Sequence, residues 1–280
     1  MLLGLAVGLS GFAAVPGEGL SAPHYSFVEN QVESFRFQLE RRVKTGGELD
    51  LAPFMTRLEG RVQRYLARVF RDGSFGFVTR VVELSGTESF NNEAAQALDL
   101  GGLDGRSISL RLARTGELLD SVAWSYLRTA GGGDLVDGTL LASLPRLPER
   151  LPAAGEELPQ SYRLSFDYGA GVRCDQLWVL VYRLGAGFSG SCGVGCMPLA
   201  YRAELSERCA DRSGGDERTA TGVVEGELEF KRRRAGLELR AHRWDRRLQR
   251  SLPVADRSSG ASVLQELDSR GTLIAEGGAP

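Results

Sequence analysis

Residues 174–184, CDQLWVLVYRL, and residues 199–209, LAYRAELSERC, decide the fold of this chain. Residues 174–184 are rich in β-branched and aromatic residues, as in β-strands, and residues 199–209 have the pattern of a second strand. If the two segments pair antiparallel along their whole length, apolar residues face each other on one side, and Cys174 lies opposite Cys209. The sequence therefore predicts two paired strands tied by a Cys174–Cys209 disulfide.

All four cysteines of the chain fall between positions 174 and 209, and four cysteines allow three pairings. With Cys174 and Cys209 joined, Cys192–Cys196 would close the glycine-rich loop between the strands. A zinc site is the alternative, but it usually needs two close cysteine pairs, and here three residues separate the single close pair. Free thiols are the third possibility. Disulfides would place the chain in an oxidising compartment.

Strand patterns extend outward from this pair. FRFQL at 35–39 alternates with period two, Asp72-Gly73 is a strong hairpin signal, and Thr115-Gly116 marks another turn. Helical patterns are few and short, at Glu93–Leu98 and Leu135–Leu144. This distribution predicts an all-β, mainly antiparallel fold with one or two short helices, because alternating β and α segments are missing.

The chain also repeats itself. A shift of 120 residues superposes two hairpins (Ile108 on Leu228, Leu110 on Phe230, Gly116 on Gly236, Leu119 on Leu239, Trp124 on Trp244). Four of the ten prolines lie at 144–160, which favours a linker or an edge segment. We therefore expect tandem duplicated β-sandwich or half-barrel domains. The predicted organisation is a signal peptide at 1–16, a first β-domain at 17–143, a Pro-rich linker at 144–160, and a second β-domain with the disulfides at 161–280.

The apolar run at 2–16 is too short to span a bilayer comfortably, but it has the length of a signal-peptide core. Small residues place a cleavage site near Ala13. No lysine or arginine precedes Arg36, which departs from a normal export signal. The alternatives are a misassigned start that omits a basic lead, and a buried strand or helix at this position. We expect an exported protein, periplasmic or extracellular, that is not an integral membrane protein.

Composition narrows the function further. The 280 residues are 42% hydrophobic and 25% charged, values that are ordinary for a globular protein. The net charge of -2 provides no general attraction for nucleic acid. We therefore expect no nucleic-acid partner.

Catalytic motifs are weak. The two histidines, His24 and His242, have no evident reason to converge, and the G-x-S-x-G and H-E-x-x-H motifs are missing. GAGFSG at 185–190 matches G-x-G-x-x-G, but a cysteine-glycine loop follows where a nucleotide site needs a helix. We predict no catalytic residue, no metal ligand and no cofactor. Scattered carboxylates leave a hydrolase as an alternative, since facing carboxylates can cleave glycosidic bonds.

The most distinctive polar feature is basic. Residues 226–250 hold nine lysines and arginines against four acidic residues. A hairpin tip and its return strand would present most of them as an anion or partner docking surface (Lys231, Arg232, Arg233, Arg234, Arg240 and Arg243). The alternative is that these charges only keep a strand edge solvated.

Aromatic residues suggest a second kind of site. A curved antiparallel sheet can enclose a small ligand, and several residues are candidates for lining such an apolar cavity (Phe35, Phe37, Tyr65, Phe75 and Phe77). Simple core packing is the alternative. The leading hypothesis is a non-enzymatic envelope protein that binds an apolar, lipid-like ligand or an envelope protein partner. The alternatives are a structural or assembly protein that docks through the basic hairpin, and a carboxylate-based hydrolase.

The hairpin GRSISLRL at 105–112, its repeat, and the following LPRLPE at 144–149 carry a loose resemblance. In these motifs the chain resembles uncharacterised secreted bacterial envelope proteins built from two related β-domains. The resemblance implies an envelope location and paired β-domains. It implies no particular activity, so it assigns no functional residue.

Overall fold

A computed structural model describes residues 22–27, 32–46, 51–91, 93–100, 105, 107–122, 145–167, 172–187, 195–211, 218–253 and 262–276. In these ranges the protein is all-β, and no helix is present. The strands are β1 (Val32–Gly46), β2 (Leu51–Val69), β3 (Phe75–Phe90), β4 (Gln96–Ala97), β5 (Ser107–Leu112), β6 (Leu118–Val122), β7 (Leu158–Asp167), β8 (Val172–Leu184), β9 (Cys196–Asp211), β10 (Arg218–Arg233), β11 (Gly236–Pro253) and β12 (Ser262–Ala275).

All twelve strands belong to one antiparallel sheet, in the order β6-β5-β3-β2-β1-β12-β11-β10-β9-β8-β7, with β4 beside β3. The sheet is nearly closed, because its two end strands, β6 and β7, contact each other. The expected division into two separate sandwiches or half-barrels is not seen. Strand β12, from the end of the chain, pairs with β1 from its beginning, so hydrogen bonds join the two predicted domains.

The pairing of β8 with β9 confirms the predicted register. Tyr182 lies opposite Tyr201, and Cys174 lies opposite Cys209 and is joined to it by a disulfide. The disulfide removes the zinc alternative for these two cysteines. Cys192 lies outside the described residues, so its bond to Cys196 stays a prediction.

Turn signals in the sequence were also reliable, whereas the helix predicted at 93–98 was wrong. Gly73 and Gly116 both have positive φ in the turns that join β2 to β3 and β5 to β6. The stretch 93–98 contains β4 instead of a helix, because pairing with β3 satisfies backbone groups that so short a helix would leave unpaired. The second predicted helix, at 135–144, and the predicted signal peptide lie outside the described residues.

The 120-residue repeat has a counterpart in the hydrogen-bond register. In the β2–β3 pair, Val62 lies opposite Val81. In the β8–β9 pair, the residues 120 positions later, Tyr182 and Tyr201, lie opposite each other. The β3–β5 and β9–β10 pairs agree in the same way (Phe77 with Leu110, Met197 with Phe230). We name β1, β2, β3, β5 and β6 the first repeat, and β7–β11 the second repeat.

A short segment near the N-terminus joins the tips of both repeated hairpins. The amide of Tyr25 donates to the carbonyl of Arg114 in the first hairpin, and the amide of Ser26 donates to the carbonyl of Leu237 in the second. The turn glycines Gly116 and Gly236 both have positive φ, and an added Cβ at either would touch residues 24–25. Residues 22–27 therefore pack against the same place in each copy.

The two faces of the sheet differ in polarity. Side chains alternate along each strand, so that one face carries the large apolar residues and the other carries exposed polar residues. The apolar face holds the core, which includes residues from both repeats and Tyr25. Leu147, within the Pro-rich stretch, is also buried in this core, and its amide donates to the carbonyl of Thr115. That stretch therefore packs against the sheet between β6 and β7.

Candidate functional site

A cavity of about 1170 Å³ runs across eight neighbouring strands from β3 to β8. Its lining consists of three lateral rows of register partners, and Glu157 lies at one end. The middle row is Gly86, Leu58, Leu39, Gly271, Trp244, Gly226 and Tyr201. One flanking row is Thr87, Arg57, Glu40, Arg270, Asp245, Glu225, Arg202 and Val181. The other is Ser85, Glu59, Gln38, Thr272, Arg243, Glu227, Ala200 and Arg183.

The cavity lies on the polar face of the sheet. Successive side chains of a strand point to opposite faces, so the middle row and the flanking rows point in opposite directions. The flanking side chains line the cavity, whereas the next residues on the apolar face, such as Phe37 and Thr56, do not. The middle row therefore contributes mainly backbone to the floor, and the flanking rows form two walls. We name this feature the charged groove.

Glycines in the middle row allow large side chains to lie flat on the apolar side of the groove floor. The Trp244 ring covers Gly271, where an added Cβ would come within 2.1 Å of a ring carbon. Tyr201 covers Gly226 in the same way, at 2.4 Å. Both aromatic residues are buried. The floor is thus supported by core aromatics whose rings cover glycines on an adjacent strand.

The walls of the groove carry five arginines and five carboxylates, and Glu157 adds a sixth carboxylate at one end. Neighbouring strands place opposite charges side by side, and most of these residues form cross-strand ion pairs (Arg57–Glu40 at 3.0 Å, Arg270–Asp245 at 3.0 Å, Arg202–Glu225 at 3.3 Å, Arg243–Glu227 at 2.9 Å). The arginine side chains of these pairs remain more than half exposed. Both signs of charge are therefore presented to solvent along the groove.

The predicted basic surface is divided by the structure. Arg243 lies in the charged groove, whereas Lys231, Arg232 and Arg233 lie at the end of β10, and Arg234 is in the turn that follows. Glu238 accepts hydrogen bonds from Arg233 and Arg240. The four residues at 231–234 are exposed. Their role in docking stays a prediction.

The residues proposed to line an apolar cavity occupy other places. Phe35, Phe37, Phe75 and Phe77 are buried in the main core, where Phe77 packs edge-to-face against Phe27 at 4.4 Å. Tyr65 points to the opposite face and is 41% exposed. None of these aromatic residues borders the charged groove. A ligand-binding role for these residues stays a prediction. In the fold, the four phenylalanines pack in the core.

Two carboxylates stand side by side in the groove. Glu225 on β10 is the register partner of Asp245 on β11. Each is paired with its own arginine, Arg202 or Arg270. They project from the same face, whereas glycosidase carboxylates flank the scissile bond from two sides. The pair therefore continues the pattern of wall charges and lacks the geometry of a hydrolase site.

The histidine on β11 belongs to the core. His242 is buried, its Nε2 lies 2.9 Å from the hydroxyl of Tyr201, and burial lowers its pKa to about 3. The imidazole is therefore neutral at neutral pH. Across the described ranges, no group of three or more His, Cys, Asp or Glu side chains could hold a metal ion. A search for apolar helices of membrane-spanning length found none in the same ranges.

No family model matches this chain, and no curated protein matches it in sequence. Among solved structures, a lipovitellin described for its lipid–protein interactions aligns over 88% of this chain with a TM-score of 0.42 and 10% identity. This chain spans a quarter (25%) of that lipovitellin chain.

Two further likenesses are weaker. DynF of the dynemicin biosynthesis pathway of Micromonospora chersina aligns over 96% of this chain and 92% of its own, with a TM-score of 0.24 and 10% identity. A mutant of Rh. blastica porin aligns over 88% of this chain and 100% of its own, with a TM-score of 0.23 and 9% identity. Values this low establish no shared function.

Sequence reasoning missed the charged groove. Its arginines and carboxylates look in the sequence like ordinary solvent-facing positions of alternating strands. The groove could have been found only by aligning all eight strands in their correct register, because only then do its opposite charges become neighbours. Only the β8–β9 register could be derived from the sequence, because the pairing that matches apolar residues along both segments also brings Cys174 opposite Cys209.

Proposed function

We propose that this chain is a non-enzymatic binding protein whose charged groove holds an extended segment of a protein partner. The observation that carries the proposal is a continuous groove across eight strands, walled by two rows of exposed side chains of both charges. Electrostatic complementarity of this kind provides specificity and fast association.

The dimensions of the groove suit a polypeptide. Seven interstrand spacings of about 4.8 Å make it about 34 Å long. An extended chain rises about 3.3 Å per residue, so about ten residues would span it. Its volume of about 1170 Å³ lies above the range of about 300–1,000 Å³ that is usual for small-molecule pockets.

The chemistry of the walls also favours a polypeptide over an apolar ligand. An apolar ligand would strip water from the eleven charged groups that line the groove without replacing their hydrogen bonds, which is costly. A peptide carries its own backbone donors and acceptors and can carry charges of both signs. A protein partner is therefore the better fit of the two ligands that the sequence suggested.

One end of the groove adds an apolar contact. On the polar face of β8, Leu177 and Val179 are 37% and 44% exposed, and they continue the line of Val181 in the groove wall. Exposed apolar residues beside a polar rim are typical of binding surfaces. We place the anchoring residue of the partner, an apolar side chain, at this end.

The disulfide fits a protein that is exported from the reducing cytosol. Within the proposal, the partner is an envelope or extracellular protein. The segment it contributes carries alternating charges and an apolar residue near one end.

A displayed library of linear twelve-residue peptides, selected on the intact protein, tests this function. We expect enriched peptides with charges of both signs and at least one apolar residue, whose affinity falls as salt is raised. Arg57→Glu and Arg270→Glu reverse charges in the wall and should weaken the binding of selected peptides at least tenfold. Both side chains are largely exposed, so neither substitution should unfold the protein.

Arg163→Glu is the matched control, because Arg163 is exposed on β7 outside the groove. It should leave peptide affinity within about twofold of the wild type, since surface substitutions away from a site have small effects. Peptides that bind the wall variants as well as they bind the wild type would overturn the proposal. So would a selection that enriches no sequence above the starting library.

A further inference from the structure

The strongest unexplained feature outside the groove is a polar row on the apolar face of the first repeat. Glu33 on β1 lies opposite Arg64 on β2, and Arg64 lies opposite Thr79 on β3. All three residues point toward the core, on the face opposite the groove walls. A charged row in this position needs a physical reason, because burying charge without full compensation is expensive.

Arg64 and Thr79 are both buried to 1% exposure. The Nε and Nη1 atoms of Arg64 and the hydroxyl of Thr79 are buried and have no hydrogen-bond partner. Within the described residues, no ion pair of 4.0 Å or less joins Arg64 to Glu33. The guanidinium instead lies over the ring of Phe35, with its central carbon 5.1 Å from the ring centroid. Three polar groups thus remain unsatisfied side by side.

The second repeat shows that the fold does not require these groups. The residues 120 positions after Arg64 and Thr79 are Leu184 and Leu199, and they form the same register pair on β8 and β9. Leu199 is completely buried, whereas Leu184 is 40% exposed. The strand pair can therefore form with leucines at both positions, and only the first repeat buries a guanidinium and a hydroxyl there.

The surroundings suit an anionic group. Arg64 supplies a positive charge and unused N–H donors, and the Thr79 hydroxyl can donate as well. Burial raises the pKa of Glu33, and in its neutral form this carboxyl is also a donor. Hydrogen bonds that involve a charged group are about twice as strong as neutral ones. An oxyanion at this position would satisfy the row.

Residues 22–27 pack on the same face of the sheet as the row. Phe27 packs on Phe77, which lies two residues before Thr79 on β3. Tyr25 is buried in the same core, and its hydroxyl donates to the carbonyl of Pro145 at 2.6 Å. The segment is anchored to hairpin tips by backbone hydrogen bonds, so it can detach without breaking a strand pair.

We propose that Arg64 and Thr79 form a buried binding site for the oxyanion group of a ligand, a carboxylate or a phosphate, which enters when residues 22–27 move aside. The site is separate from the charged groove, because its side chains point to the other face of the sheet. Failure of either proposal would therefore leave the other intact.

Thermal unfolding of the intact protein with simple anions tests the site. The probes are sodium phosphate, sodium acetate and sodium decanoate, each compared with sodium chloride at the same ionic strength. Phosphate alone raising the Tm would identify a phosphate site, and acetate or decanoate raising it would identify a carboxylate site. A ligand that binds only the folded state raises Tm, and we expect a shift of several degrees at saturation.

The double variant Arg64→Leu/Thr79→Leu copies the second repeat and should abolish the anion-dependent shift. Thr79→Val keeps the shape of the side chain and removes only the hydroxyl, so it should weaken anion binding about tenfold. It also serves as the test if the double variant does not fold. A wild type whose Tm responds to none of the probes would overturn the proposal, as would variants that respond as the wild type does.

Discussion

The two repeats share a register but differ in what they bury. At the β2–β3 pair, the first repeat buries Arg64 and Thr79, whereas the second repeat places Leu184 and Leu199 at the equivalent β8–β9 positions. At the far end of the same strand pairs, the first repeat has the Phe54–Phe90 ring contact at 4.8 Å, and the second has the disulfide. Backbone pairing was therefore retained while the side chains of the two copies diverged.

This difference shows which properties the duplicated unit needs. Main-chain hydrogen bonds and side-chain alternation are the same in both copies, so they define the meander. The buried Arg64–Thr79 pair occurs in the first copy only, and the disulfide occurs in the second copy only, so the shared backbone pairing depends on neither. Exchanging residues between the copies separates these two kinds of feature.

The largest effect should come from giving the second repeat a residue of the first. Leu199→Thr removes buried apolar groups and adds a hydroxyl without a partner, so we expect a loss of about 4 kcal/mol in the free energy of unfolding. The reverse change, Thr79→Leu, adds volume to a packed core but removes a hydroxyl that makes no hydrogen bond, so we expect a smaller loss of about 1–2 kcal/mol. Urea denaturation measures both. Equal losses would contradict the difference between the copies.

The next effect concerns the ends of the strand pairs. Cys174→Ala/Cys209→Ala should cost about 3 kcal/mol, since the disulfide constrains the unfolded chain over a separation of 35 residues. Phe54→Ala/Phe90→Ala should cost only about 1–2 kcal/mol, because Phe90 is half exposed and the ring contact leaves the unfolded chain free. Urea denaturation of the wild type in a reducing agent should reproduce the cysteine variant. If the reductant changes nothing, the disulfide has no stabilising role.

The smallest effect depends on pH and on a residue present in one copy only. His242 occupies the position of Val122 in the first repeat. Its pKa falls from an ordinary 6.5 to about 3 on folding. Between pH 6.5 and pH 3 the imidazole is therefore protonated in the unfolded state and neutral in the folded state. Stability is therefore retained above pH 6.5 and is lost as the pH falls toward 3, by about 2 kcal/mol between pH 7 and pH 5.

Urea denaturation at several pH values measures this slope. His242→Val should remove the part of the slope between pH 6.5 and 5. Tyr201→Phe is the control, because it removes the hydrogen bond to His242 but leaves the imidazole buried, so the slope should persist. A slope that survives in His242→Val would assign the pH dependence to other groups.

Local signals predicted a large part of this fold. Alternating polarity gave the strands, and Asp72-Gly73 and Thr115-Gly116 gave the turns, because each depends on a few neighbouring residues. The helix expected at 93–98 was wrong because a segment that short takes the structure its neighbours offer. The single sheet was also missed, since the pairing of β1 with β12 joins the two ends of the chain, and nothing local encodes it.

The candidate sites divide in the same way. The cysteine pair was found because both of its members terminate recognisable strands. The charged groove and the row of Arg64 and Thr79 were not found, since their residues come from strands that are distant in sequence. The aromatic residues of 35–77 looked like a cavity lining, but alternation alone cannot distinguish a lining residue from a packed one.

The sequence by itself determined the strand character, the antiparallel β8–β9 register with its disulfide, and the repeat of sequence pattern at 120 residues, because these features depend on periodicity, spacing and self-similarity. Only the tertiary structure decided that both copies share one sheet, which charges meet across eight strands, and which polar groups are left buried without partners. Those properties arise when strands that are distant in sequence pair with each other, and local sequence patterns do not specify which distant strands pair.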